Sequence, residues 1–196
     1  MLVVLIKAIL AGILIGMGGT VYLSTPGPLG AFLFALGLFV ICTRGYNLFT
    51  GKVGYSIDRS IAKNLPFIWI GNFIGTFLVA IAIKYSCTHL STEGIVLAKI
   101  ASPYGVMFIK GVFCGILMFL AVDTYKKHSE NIMGLFGIVI PVAVFILCGF
   151  NHCIADMFYI SMYKWSLDAL IYIGIVTLGN SIGGLLLPLL EKIKEN

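Results

Sequence analysis

Cys148-Gly-Phe-Asn-His-Cys-Ile-Ala-Asp156 places an asparagine, a histidine and an aspartate inside an otherwise apolar run, and Arg44-Gly-Tyr-Asn-Leu-Phe-Thr-Gly51 interrupts an earlier apolar run in a similar way. A polar group in hydrocarbon costs kilocalories unless it is satisfied, so Asn47, Thr50, Asn151, His152 and Asp156 should face protein or water. Gly45 and Gly51 bracket the first polar pair and let a helix break there. The second stretch interrupts a helix that the apolar Met157 to Tyr163 segment continues.

Around these stretches, apolar windows lie near 2–23, 28–49, 66–87, 104–123, 132–150 and 167–190. A bilayer core about 30 Å thick needs roughly 20 apolar residues per helix, so each window is a candidate crossing. The expected architecture is an all-α membrane protein with six transmembrane helices, the second and fifth broken. Residues 1–196 then form a single transmembrane domain.

Its two halves are similar in sequence. Lys110-Gly-Val-Phe-Cys-Gly115 parallels Ala11-Gly-Ile-Leu-Ile-Gly16, Gly149-Phe-Asn-His152 parallels Gly45-Tyr-Asn-Leu48, and Leu178-Gly-Asn-Ser-Ile-Gly183 parallels Ile70-Gly-Asn-Phe-Ile-Gly75. The three pairs occur in order at offsets of 99, 104 and 108 residues, which differ only by loop-sized insertions. Repeat one covers about 1–90 and repeat two about 100–190. Three spans per repeat is an odd number, so the second repeat enters the membrane inverted, giving a 3+3 inverted repeat. The Gly12/Gly16, Gly71/Gly75 and Gly111/Gly115 spacings also suit close helix packing.

Composition agrees with a membrane location. Sixty per cent of the 196 residues are hydrophobic and 11% charged, against roughly 45–50% and about 25% in soluble domains. The net charge of +5 comes from 13 basic residues scattered between apolar runs, so no nucleic-acid surface is expected. Lys52, Arg59, Lys63, Lys126, Lys127, Lys192 and Lys194 fall on the side of the termini, and Lys84, Lys99 and Lys164 on the other. By the positive-inside rule both termini are cytoplasmic. The first apolar stretch contains Lys7 and lacks a basic leader region and an A-x-A-like cleavage site, so a retained helix is expected. The five cysteines lack CxxC or CxxH pairing and read as small core residues, with no disulfide framework or metal site.

No nucleotide-binding loop, Ser/His/Asp arrangement, HExxH motif or paired-carboxylate site occurs, so neither an enzyme nor a cofactor is expected. His89 and His128 lie in loop-like surroundings and receive no role. Asp156 follows His152 at i+4, and on a continuous helix it would share a face with the imidazole and stabilise its charged form.

These residues closely resemble the formate/nitrite transporter family. The likeness is carried by Ala11-Gly-Ile-Leu-Ile-Gly16, Gly45-Tyr-Asn-Leu-Phe-Thr-Gly51, Gly71-Asn-Phe-Ile-Gly75, Gly111-Val-Phe-Cys-Gly-Ile-Leu-Met-Phe-Leu-Ala-Val122, Gly149-Phe-Asn-His-Cys-Ile-Ala-Asp-Met157 and Gly179-Asn-Ser-Ile-Gly-Gly184. It implies an aquaporin-like protomer in a homopentamer, placed in a bilayer, with the bacterial inner membrane the expected location. It also implies a pore centre at His152 facing the Thr50 hydroxyl, with Asn151 and Asn47 in the polar breaks. Phe34 and Phe145 match an outer constriction, and Leu38, Leu48 and Phe49 an inner one. Lys99 matches a lysine that draws anions toward the pore.

The chain departs from the family pattern at Asn47, where an acidic residue is usual, and at Asn151, where a glutamate is usual. Gly115 stands for a span-four asparagine and Asp156 for the asparagine after the histidine. The N-terminal helix before span one and the longer loops are not expected here. The implied function is a channel or proton-coupled pathway for a small monovalent weak-acid anion of the formate, nitrite, hydrosulfide, acetate or lactate type. The alternatives are a pore for a neutral solute or cation, motivated by the carboxylate changes, and a non-transporting membrane scaffold. A polar-centred lumen would separate transport from scaffold, and reversal potentials would separate anion from cation.

Overall fold

The computed structural model describes residues 1–87 and 89–194, and no β-strand occurs among them. The helices are α1 (Leu2–Ser24), α2 (Pro28–Arg44), α3 (Phe49–Lys52), α4 (Arg59–Ala62), α5 (Leu65–Ser86), α6 (Glu93–Ile100), α7 (Tyr104–His128), α8 (Ile132–Leu147), α9 (Cys153–Met162) and α10 (Leu167–Lys194), with a 3-10 turn at Val53–Tyr55. α1, α5, α7 and α10 are each long and apolar enough to cross a bilayer. α2 and the Phe49–Tyr55 segment reach that length together, bent by 53° at the break between them. α8 and α9 are shorter apolar helices of 16 and 10 residues. Helix α6, which carries Lys99, lies outside the apolar windows.

Small residues bring the long helices together in pairs, α1 on α5 and α7 on α10. A Cβ at Gly12 would collide with the Asn72 carbonyl, and one at Gly115 with the Asn180 carbonyl. Lipid gives helices no hydrophobic reason to associate, so this backbone-to-backbone approach supplies the dispersion contact that holds the pairs. The apolar side chains left outside, such as Leu29, Phe32, Leu33 and Leu36 on α2, remain exposed. They form the kind of surface that lipid or a neighbouring subunit covers.

The two helix breaks have the same construction. α2 ends at Gly45 (φ 62°) and α8 at Gly149 (φ 64°), both left-handed, where a side chain would cost about 1–2 kcal/mol. The Tyr46 N–H donates to the Ile41 carbonyl and the Phe150 N–H to the Phe145 carbonyl, each at 2.9 Å. With the Gly45 to Cys42 and Gly149 to Ile146 bonds (3.2 and 3.0 Å), each end is a Schellman cap. The chain then crosses to a neighbouring long helix: the Asn47 N–H donates to the Lys7 carbonyl (3.2 Å) and the Asn151 N–H to the Lys110 carbonyl (3.3 Å). Gly51 is not a breaking residue. It lies inside α3, packed against Val122.

One asparagine satisfies the exposed backbone of each break. Asn72 on α5 donates to the carbonyls of Ala8 and Asn47, both at 2.8 Å, and accepts from the Phe49 N–H at 2.8 Å. Asn180 on α10 donates to the carbonyls of Gly111 and Asn151, both at 2.8 Å, and accepts from the Cys153 N–H at 2.9 Å. Both asparagines are fully buried, so irregular backbone persists at depth because each of these groups has a partner.

Candidate functional site

Each break delivers one polar side chain to the same place. Thr50 stands in the first turn of α3, and His152 is the N-cap residue of α9. The Thr50 hydroxyl oxygen and His152 Nε2 are 2.9 Å apart, and both residues are buried. The Ala155 N–H donates to His152 Nδ1 (3.0 Å), so in the neutral ring Nδ1 is bare and the proton resides on Nε2. Nε2–H then donates to the Thr50 oxygen. The threonine's own proton remains available to a third group.

Two cavities are lined by residues at or near this pair in the chain. One, of about 120 Å3, is bounded by Leu48 and Gly51, next to Thr50 in the chain, and by Tyr46, Tyr125, Lys52 and Lys126. The other, of about 160 Å3, has His152 in its wall together with Phe34, Phe145, Tyr159, Lys99 and Asp156. Phe34 meets Phe145 edge-on (centroids 5.9 Å apart), and Phe145 lies over the imidazole (5.6 Å, planes at 26°). An aromatic stack therefore covers one side of the pair. Leu38 and Phe49 are buried in the core and line neither cavity.

The charges are arranged unevenly. In the second cavity the Lys99 ammonium lies 3.0 Å from Asp156 Oδ1, donates to Asn151 Oδ1 (2.9 Å), and reaches the Tyr172 hydroxyl at 3.5 Å. Tyr172 in turn donates to Asp156 Oδ2 at 2.7 Å. The first cavity is lined by Lys52 and Lys126 and by no carboxylate. Lys126 rests 3.8 Å from the centroid of the Tyr55 ring, whose hydroxyl donates to Asp123.

The structure places three of the residues read from the sequence, Asp156, Asn47 and Asn151, away from the Thr50–His152 contact. Asp156 does not attend the imidazole, because α9 begins after His152 and the carboxylate of Asp156 is taken by Lys99 and Tyr172. Asn47 and Asn151 make no hydrogen bond to Thr50 or His152: Asn47 donates to the Val4 carbonyl (3.4 Å), and Asn151 serves Lys99 and the Met107 carbonyl (3.5 Å). The sequence assigns no role to Asn72, Asn180 and Tyr172. A signal for the first two was present, since each follows a glycine in the matched Gly-Asn-x-Ile-Gly pair. Among the described residues, no group of three or more His, Cys, Asp or Glu could hold a metal ion.

The sequence model of the formate/nitrite transporters matches residues 1–191. The chain is 28% identical to the formate channel FocA of Haemophilus influenzae over 149 residues, covering 68% of this chain and 52% of that protein. It is 29% identical to the nitrite transporter NirC of Salmonella typhimurium over 174 residues, covering 77% of this chain and 64% of that one. The matches thus span about half to two thirds of the length of these relatives. A solved structure described as an FNT family ion channel superposes with a TM-score of 0.86 at 25% identity, covering 100% of this chain and 90% of that one. A pentameric formate channel with formate bound has the same fold, with a TM-score of 0.81 at 23% identity over 98% and 96% of the two chains.

Proposed function

Because this chain belongs to the formate/nitrite transporter family, we propose that it is a multi-pass membrane pore carrying small monovalent weak acids of the formate or nitrite type past Thr50 and His152. The observation that carries this reading is the 2.9 Å contact between two buried polar side chains, delivered by two helix breaks, with His152 in the wall of one cavity and Leu48 and Gly51, chain neighbours of Thr50, in the wall of another. Buried polarity of this kind is costly in a membrane and marks a pathway.

A bare anion at the aromatic stack loses its hydration, and the same desolvation favours its protonated form. The neutral acid crosses, meeting the hydroxyl donor of Thr50 on its way. Charging His152 would put a second proton on Nδ1, which faces the Ala155 N–H, so the neutral imidazole is favoured. Water or hydronium in the cavities is then the proton source, with the Thr50 hydroxyl, whose oxygen accepts from Nε2–H, orienting the solute.

The wider architecture follows the same reading. Six spans arise from the four continuous long helices, the bent α2–α3 segment and the interrupted α8–α9 segment. The matched Schellman caps and the matched triple bonds of Asn72 and Asn180 support an inverted 3+3 repeat within a single transmembrane domain. Both termini are cytoplasmic, the cell membrane being a bacterial inner membrane, and the chain assembles as a homopentamer whose exposed apolar faces meet lipid and neighbouring subunits.

The test is a flux assay in proteoliposomes with formate, nitrite and acetate at two external pH values. Well above the acid's pKa the neutral fraction rises about tenfold per pH unit lost, so initial flux should climb by up to about tenfold per unit of acidification. Flux that ignores pH would contradict passage as the neutral acid. A pore for a neutral solute or a cation is the second reading, favoured by the paired charges of Lys99 and Asp156. Reversal potentials in asymmetric salt decide, since a cation pathway follows the cation gradient.

A further inference from the structure

Every proton of the Lys99 ammonium has an acceptor within reach: Asp156 Oδ1 at 3.0 Å, Asn151 Oδ1 at 2.9 Å and the Tyr172 oxygen at 3.5 Å. The two oxygens of Asp156 each have a donor, Lys99 on one and Tyr172 on the other. A lysine and a tyrosine gripping the two oxygens of one carboxylate is also the arrangement that would receive a small monocarboxylate from the cavity. We infer that Asp156 is the specificity-determining residue of this mouth, a tethered carboxylate occupying the anion site formed by Lys99 and Tyr172. An incoming anion must displace Asp156 or do without the ammonium.

The other mouth differs in kind. Lys52 and Lys126 line its cavity, and no carboxylate does. The pore therefore presents a compensated pair on one face and two cationic side chains on the other. Anions concentrate at the Lys52 and Lys126 face, while on the other face Asp156 cancels the charge of Lys99 and leaves that of Lys110, which lines an adjoining cavity. This inference rests on the proposed pore reading and adds a sidedness to it.

The test measures the half-saturating concentration of formate from each face separately, using protein oriented in liposomes, for wild type, Asp156→Asn, Lys99→Gln and the double substitution. Removing the carboxylate adds one net positive charge at the mouth, and half-saturation on the Lys99 face should fall about tenfold. Lys99→Gln leaves an unpaired carboxylate and should raise it about tenfold. The double substitution should fall between the two. On the opposite face all four proteins should agree within about twofold, and the differences should shrink near 1 M salt, where charges are screened within about 3 Å.

A purely structural ion pair would instead make the double substitution no better than Lys99→Gln, or leave half-saturation unmoved in Asp156→Asn. Either result overturns the inference. If Asp156→Asn does not fold, the comparison of Lys99→Gln with the double substitution decides alone. His152→Phe is measured in parallel: flux that survives it undermines the pore reading, whereas flux that requires His152 but ignores the charge order defeats only the role of Asp156.

Discussion

Asn180→Ala protein should lose about 2–6 kcal/mol of stability, because two buried backbone groups of the break lose their partner at once and each costs about 1–3 kcal/mol unsatisfied. The groups are the Asn151 carbonyl and the Cys153 N–H, while the Gly111 carbonyl, inside α7, keeps its helical donor. Against a total stability on the order of 5–15 kcal/mol this is severe. In detergent, the midpoint of thermal aggregation should drop by about 10 °C or more. Asn180→Asp is the sharper comparison: a carboxylate of nearly the same shape still accepts from Cys153, but it cannot donate and sets its charge against two carbonyl oxygens. It should be no more stable than the alanine variant, and wild-type stability in Asn180→Asp would remove Asn180 as the brace of the second break. Asn72 should respond in the same way through Ala8, Asn47 and Phe49.

The second large effect concerns His152, which does two jobs that substitution can separate. Its Nδ1 caps α9 through the Ala155 N–H, and its Nε2 meets Thr50. His152→Phe keeps a ring against Phe145 but loses both polar contacts. It should lower stability by about 1 kcal/mol through the lost cap and cut weak-acid flux by roughly 10- to 100-fold, the equivalent of one or two hydrogen bonds at the narrowest point. His152→Asn restores a good capping side chain but is too short to reach Thr50. Stability close to wild type with flux still reduced by at least about tenfold is expected. Full flux through a stable His152→Asn protein would take the histidine out of the pathway.

Much of this was legible in the residues. Glycine followed by an aromatic residue and an asparagine, at 45–47 and again at 149–151, marked both breaks, because only glycine takes the left-handed turn that ends a helix at depth. What sequence spacing could not settle was direction. The i+4 relation between His152 and Asp156 joins them on one face only if a helix already runs through 152, and here the helix starts one residue later. The carboxylate turned instead to Lys99, which lies on α6, far away in sequence.

In Gly71-Asn-Phe-Ile-Gly75 and Gly179-Asn-Ser-Ile-Gly183 the glycine spacing is the conspicuous signal and the asparagine the quiet one. Close packing explains the glycines, yet the asparagine inside each motif is what satisfies the broken backbone. Buried amides in a membrane need several partners, so a pair of asparagines at matched positions of two halves was itself a statement about the breaks. Asn47 and Asn151 looked like pore residues for the same reason. Their side chains turned to the backbone of α1 and α7 and to Lys99.

The most direct measurement is formate-driven acidification inside liposomes, comparing wild-type protein, Thr50→Val and protein-free vesicles. Valine keeps the shape of threonine and removes only the hydroxyl facing Nε2. A pore centred on that contact gives wild-type flux well above the protein-free rate and a Thr50→Val flux reduced about tenfold or more. Equal flux in wild type and Thr50→Val, or no flux above empty vesicles for any small weak acid, would contradict it.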